Sequence, residues 1–307
     1  MKFGWNFYKR KKSFHITKFS LVALLFAIVL FLYSLSVIVA LVWGFFASLK
    51  GSLEFAANLF NLPRGHIWEW KWSNYEMVLS NFIVPVYSGE VRYEVTMPMM
   101  ALYSVLYAGG CSFLATLTPC VVGYLITRFP NKFSKVISAV ALVAIIIPIV
   151  GNNVSMLQML HTLGLYDTMI GNWIMSMSFI SIYMFVFSAA FKGVAKTYSE
   201  AAEIDGANNF TVFFRINLPL VKSAFFSVML LMFIARWNDY SMPLLYMPSK
   251  PTLAYGIYSF NFTTLTELSW PPFRIAGSMI LVLPMFVLFL LFHKRLMGNL
   301  SMGGIKE

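Results

Sequence analysis

GVAKTYSEAAEIDGANNFTVFFRINLPLVKS, from Gly193 to Ser223, is a polar island between two apolar runs, and it is too long for a plain hairpin. Thr197 to Asp205 favours helix, with Ala201, Ala202 and acidic groups toward its beginning. Gly206 supplies the left-handed backbone that ends a helix, and Asn208 or Asn209 can cap the next one. The second helix, about Phe210 to Asn217, sets Phe210, Phe213 and Phe214 at spacings of three and four, one apolar ridge, and Pro219 forbids its regular continuation. An apolar knob therefore projects into water. Such a patch needs cover, either from the rest of the chain or from a soluble partner.

What flanks the island fixes the environment. The chain of 307 residues is 59% hydrophobic and only 11% charged, with a mean hydropathy of +0.72. A water-soluble core cannot absorb that surplus, because soluble domains carry roughly a quarter charged residues. No Asp, Glu, Lys or Arg lies between Lys18 and Lys50, Glu94 and Arg128, Lys135 and Asp167, Asp167 and Lys192, or Arg274 and Lys294. Each gap holds the roughly 20 apolar residues that a bilayer of about 30 Å demands. A further apolar stretch, Ala224 to Met247, is interrupted by Arg236 and Asp239. The sequence thus predicts an all-α integral membrane protein of six spans: 20–45, 97–125, 137–158, 169–190, 223–246 and 275–293. The domains are a basic N-terminus (1–19), a six-span domain (20–293) with an outer segment (46–95) and a cytoplasmic loop (191–222), and a tail (294–307).

The net charge of +11 is not a nucleic-acid signal, since Lys and Arg gather in alternate inter-span segments. Residues 1–18 hold six, 128–135 three, 191–222 four and the tail three, which predicts cytoplasmic N- and C-termini. The first apolar run is too long for a signal-peptide core and is expected to stay as an anchor. Trp68, Trp70, Trp72 and Tyr75 suit interfacial anchoring of the outer segment. Cys111 and Cys120 share one apolar run without a nearby His at ligand spacing, so neither a disulfide framework nor a metal site is expected, and the 19 Met residues read as gap-fillers. No Gly-rich phosphate loop of the GxxxxGK[ST] type occurs, so catalytic residues are not expected and any ATP hydrolysis belongs to another polypeptide.

Arg236 and Asp239, three apart in the outer half of the fifth span, can pair. They mark either a pair snorkelling to the interface or a broken helix lining a solute path with Trp237, Asn238 and Asp239. An aromatic face stacks on apolar C–H groups of a solute, while amides and carboxylates meet hydroxyls; interfacial Trp is also commonplace.

Glu200-Ala-Ala-Glu-Ile-Asp-Gly206-Ala, followed nine residues after the glycine by Arg215-Ile-Asn-Leu-Pro219, resembles the EAA signature of ATP-binding-cassette (ABC) importer permeases. Further stretches resemble the carbohydrate, maltose-transporter-like branch: Ser48-Leu-Lys50, Gly123-Tyr-Leu-Ile-Thr-Arg-Phe-Pro130, Pro148, Gly164-Leu165, Trp237-Asn238-Asp239 and the tail from Leu296 to Lys306. The proline that many relatives carry just before the EAA glutamate is missing, which alters the entry to the first short helix.

The resemblance implies a type I importer permease fold in the bacterial cytoplasmic (inner) membrane. It implies a homologous second permease, two ATPase subunits that bind ATP and Mg, and an extracytoplasmic solute-binding protein as partners; this chain itself needs no cofactor. Glu200, Ala201, Ala202, Asp205, Gly206, Phe210, Phe213, Phe214, Ile216, Leu218 and Pro219 would couple to the ATPase, and the cargo would be an oligosaccharide or sugar derivative. The alternatives are a non-sugar cargo, a secondary transporter driven by an ion gradient, for which Asp239 is the sole intramembrane acid, or a structural membrane anchor.

Overall fold

The structure is a computed structural model, and it describes residues 21–88, 91–147, 151–260 and 270–300. The basic N-terminus at 1–19, Pro148 and the last seven residues of the tail lie outside the described residues.

The uninterrupted apolar runs give the longest helices. These are α1 (Leu21–Ser48), α4 (Met97–Arg128) and α14 (Pro271–Leu300), the last carrying the first part of the expected tail as continuous helix. Before α4 come α2 (Ser52–Ala57) and α3 (Ser73–Asn81); after it come α5 (Lys132–Ile146), α6 (Asn153–Thr162), α7 (Met169–Met175) and α8 (Ile182–Lys192). The island folds as α9 (Thr197–Ile204) and α10 (Asn209–Leu220), followed by α11 (Lys222–Trp237), α12 (Ser241–Tyr246) and α13 (Leu253–Phe260). Among the described residues α1 and α4 are each long and apolar enough to cross a bilayer alone, and α10 with α11, bent by 80°, makes a third candidate.

The expected third, fourth and fifth spans are therefore not single rods. The third divides between α5 and α6, with Gly151 at φ +83° in the connection. The fourth breaks between α7 and α8, where the Ser178 amide donates to Thr118 Oγ1 of α4 (3.1 Å). The fifth breaks at Asn238–Tyr240. Non-helical backbone at such depths is tolerable where neighbouring protein satisfies its polar groups, as Thr118 does here.

The all-helical expectation needs one correction. In the outer segment β1 (Ile83–Ser88) and β2 (Val91–Thr96) form an antiparallel hairpin, with Val84 opposite Val95 and Val86 opposite Tyr93. In β1 alternation explains it: Val84 and Val86 are buried while Ile83 and Tyr87 are exposed, and in β2 Val95, opposite Val84, is the buried residue. The outer segment also packs onto the end of α1. Trp70 meets Phe46 edge-on at 5.6 Å, Trp72 meets Phe45 at 6.3 Å, and the Tyr75 hydroxyl shares a hydrogen bond with Ser48 Oγ (2.7 Å); Trp68 instead stacks on His66. Lys50, almost fully buried, donates to the carbonyls of Asn58 (2.7 Å) and Leu59 (3.2 Å). Burial holds its ammonium below the ordinary lysine range, and the Glu54 carboxylate partly offsets this.

The axis of the molecule is α4, against which α7, α8, α11 and α13 pack. It packs closely on α8 at Gly123, where an added Cβ would lie 2.8 Å from the Met184 carbonyl oxygen and from Phe187 Cβ. The two larger of the apolar cores along it lie toward its two ends. One gathers Val78, Phe82, Met100, Trp237 and Phe260 at the N-terminal half of α4; the other gathers Cys120, Tyr124, Phe187, Phe191, Phe213 and Phe225 at its C-terminal half. The second core carries the island. Both cysteines are buried and free.

Candidate functional site

The island is an α9–turn–α10 unit whose turn is set by Gly206. At φ +82° it places its own amide on the Glu203 carbonyl (3.0 Å) and the Ala207 amide on the Ala202 carbonyl (2.9 Å), which closes the last turn of α9 with a paired Schellman bond. Asn208 then caps α10, its Oδ1 accepting from the Thr211 amide at 2.8 Å. From Val212 to Asn217 the helix opens to π geometry ahead of Pro219, which has no amide hydrogen to give. At Val221 the chain turns into α11.

The expected Phe ridge is split. Phe213 turns inward, 4.8 Å from Tyr124 and 6.4 Å from Phe191, whereas Phe210 is 77% exposed and Phe214 about half exposed. The wider π turn rotates successive side chains out of the 3.6-residue period on which a single ridge depends. Ala202 is buried, and Leu218 packs on the inner core beside Phe213. Glu200, Ala201, Asp205 and Pro219 are exposed and Ile216 half-buried. Ile204, which the sequence reading passed over, is 86% exposed.

What holds this unit to the bundle was also missed. Asn217, fully buried, accepts from Arg128 Nη2 (3.0 Å) and donates to Ser199 Oγ (3.0 Å) and to the Val212 carbonyl (3.1 Å). Arg128 Nη2 donates also to the Val194 carbonyl at 3.2 Å. One amide thus ties the end of α4, the face of α9 and the open turn of α10. The available signal was an amide between Ile216 and Leu218 on an otherwise inward-facing stretch. The result is a hydrogen-bonded base from which Ile204, Phe210 and Phe214 stand exposed as an apolar tip.

At the break of the fifth span the three expected path residues diverge. Trp237 is buried in the first core, stacked on Phe233 at 5.7 Å, with its indole N–H toward the Leu281 carbonyl (3.4 Å). Asn238 is exposed. Asp239 is the organiser: its Oδ2 accepts from the Tyr107 hydroxyl (3.0 Å) and Arg236 Nη1 (3.3 Å), and its Oδ1 accepts from Ser241 Oγ and the Met242 amide (both 3.1 Å), starting α12. The Arg236–Asp239 pair expected from spacing is therefore formed. Beside it lies a cavity of about 100 Å³ in which Tyr107, Asn152, Asn153, Asn172 and Arg236 face Met156, Met175 and Met242. In liquid-water terms that is room for about three molecules. No group of His, Cys, Asp or Glu among the described residues could hold a metal ion.

The pair supplies a prediction. Asp239→Ala leaves a mostly buried guanidinium and the Tyr107 hydroxyl without their acceptor, at a cost of about 2 kcal/mol. Unfolding in mixed micelles is expected to show that loss, with roughly half of it restored in Asp239→Asn and a coupling of about 1 kcal/mol in a double-mutant cycle with Arg236→Ala. Additive single losses would remove the pairing from the account.

The comparison that decides the family concerns the stretch from the hairpin through α14. Residues 95–301 match the model of the binding-protein-dependent transport system inner membrane component. The chain belongs to this family. It is a transmembrane permease component of an ABC importer, similar to the diacetylchitobiose uptake system permease protein of Streptomyces coelicolor (24% identity; 89% of this chain, 86% of that one). It is similar too to the arabinooligosaccharides transport system permease protein of Bacillus subtilis (28% identity; 61% of this chain, 66% of that one). Among solved structures, a chain of a bacterial ABC transporter involved in the import of the acidic polysaccharide alginate shares the fold, with a TM-score of 0.68 at 17% identity, over 92% of this permease and 98% of that chain.

Proposed function

We propose that this permease forms, with a homologous second permease, the path by which a carbohydrate, an oligosaccharide or sugar derivative, enters a bacterial cell. In this reading α1, α4, the divided segments and α14 make six passes, both termini are cytoplasmic, and the island faces the cytoplasm. The 1–19 segment and the tail flank the 20–293 span domain on that side. An extracytoplasmic binding protein delivers the sugar, and two ATPase subunits, holding ATP and Mg, supply the energy.

The observation that carries the reading is the α9–α10 unit: an exposed apolar tip on a base fixed by Asn217 and Arg128. A rigid knob of that kind suits a groove on a partner and can transmit displacement without deforming. Nucleotide-driven closure of the ATPases would draw the two knobs together, shut the inner gate and open the outer one; hydrolysis would reset the cycle. Glu200, Ala201 and Asp205 border the tip and would contact the groove, while Ala202, Phe213, Ile216, Leu218 and Pro219 shape the base.

The cargo class rests on the similarity to diacetylchitobiose and arabinooligosaccharide permeases and on the cavity by Asp239, whose amide, phenol and guanidinium groups suit hydroxyls. At its present volume the cavity is too small for a sugar, so it would widen in the outward-open state. Phe210→Asp with Phe214→Asp is expected to weaken ATPase retention in a detergent pull-down by at least about 30-fold, the loss typical of interface hot spots. The second permease should still co-purify. Undiminished ATPase recovery would remove the docking role, and labelled oligosaccharide uptake that is independent of the importer would remove the cargo class.

A further inference from the structure

Beside the base of the knob, a groove of about 620 Å³ opens between the end of α4, the first half of α5 and the end of α8. Arg128, Lys135, Lys192 and Lys196 all line it. Among the described residues the ion pairs are Arg92–Glu94, Arg236–Asp239 and Lys250–Asp167, so none of these four cations has a carboxylate within salt-bridge reach. Arg128 is fixed in place by neutral acceptors, the Val194 carbonyl and Asn217 Oδ1, and its Nε is buried without a partner. Four like charges around one concavity raise one another's energy, and an anion seated among them relieves it.

The α5 wall is mixed: Ala139 and Leu142 line the groove beside Ser134, Lys135 and Ser138. Val136, Val140 and Val143, each more than half exposed, form an apolar stripe next to them on the same helix. A free inorganic anion would use only the basic half of such a site; an anionic amphiphile uses both. We propose that this groove seats the headgroup of an anionic phospholipid, with its acyl chain along α5. The site needs α4, α5 and α8 to sit in a bilayer and does not depend on α9–α10 gripping an ATPase.

The test uses the assembled importer in nanodiscs of phosphatidylcholine, with phosphatidylglycerol titrated in and bound lipid read by native mass spectrometry. Each lysine facing an anionic headgroup is worth about fivefold in binding, so K135Q/K192Q/K196Q should retain phosphatidylglycerol on the order of a hundredfold more weakly. The triple Lys→Arg variant should retain it as the parent does, and recovery of the second permease checks that each variant is folded. Inorganic phosphate should fail to displace the lipid. Equal retention by the glutamine variant, displacement by phosphate alone, or an acidic protein segment found in the groove in place of lipid would each overturn the proposal.

Discussion

Asn217→Leu is expected to reduce solute uptake by the reconstituted importer more than tenfold while the chain still inserts. The leucine fills the volume but leaves the Arg128 guanidinium, the Ser199 hydroxyl and the Val212 carbonyl without their shared partner. A lost hydrogen bond to a charged group costs about 1.5–3 kcal/mol and a neutral one about 1, so the local loss is roughly 3–5 kcal/mol. That penalty falls on the joint between α4 and α10, where the unit must be stiff to pass on force. Limited proteolysis should accelerate across the α8–α11 connection. Asn217→Asp should fall between, because a carboxylate keeps the Arg128 contact but loses the donor to the Val212 carbonyl. Parental uptake and proteolysis in Asn217→Leu would show that the joint is not needed.

A second large effect is expected at Gly206. A Cβ there meets nothing within 4 Å, so crowding plays no part and the cost is purely conformational. At φ +82° an ordinary side chain is strained by about 1–2 kcal/mol, and a β-branched one by more. Losing about 2 kcal/mol in a two-state turn shifts its population roughly 30-fold away from the native direction of α10. Uptake should therefore rank Gly, then Asn, which visits left-handed backbone more readily, then Ala, then Val, with membrane insertion unchanged throughout. Measured transport equal in Gly206→Val and the parent would show that the direction of α10 is unimportant.

The sequence made some of this legible and hid the rest for physical reasons. The bounds of α1 and α4 follow from uninterrupted apolar runs, which say where a lipid-facing helix can lie. The break of the fifth run was signalled by Arg236 and Asp239, whose carboxylate starts α12, whereas that of the fourth is invisible to hydropathy because Thr118 of α4 satisfies a freed backbone amide. In the hairpin at 83–96 only Val91 to Thr96 alternates apolar with polar residues, a short strand signal inside an otherwise aromatic-rich outer segment. In the island the turn at Gly206 and the cap at Asn208 were readable from residue type. The inward turn of Phe213 was not, since it depends on the π stretch that a regular 3.6-residue period excludes. Arg128, Ser199 and Asn217 meet only in the folded chain, 18 to 89 residues apart in sequence.

The most direct test of the account places a photoreactive benzoylphenylalanine at position 210 of the importer in its native membrane. A covalent adduct with an ATPase subunit is expected, formed on the cytoplasmic face and changed in yield by ATP. Adducts confined to lipid, to the chain's own helices or to an extracytoplasmic protein would contradict it.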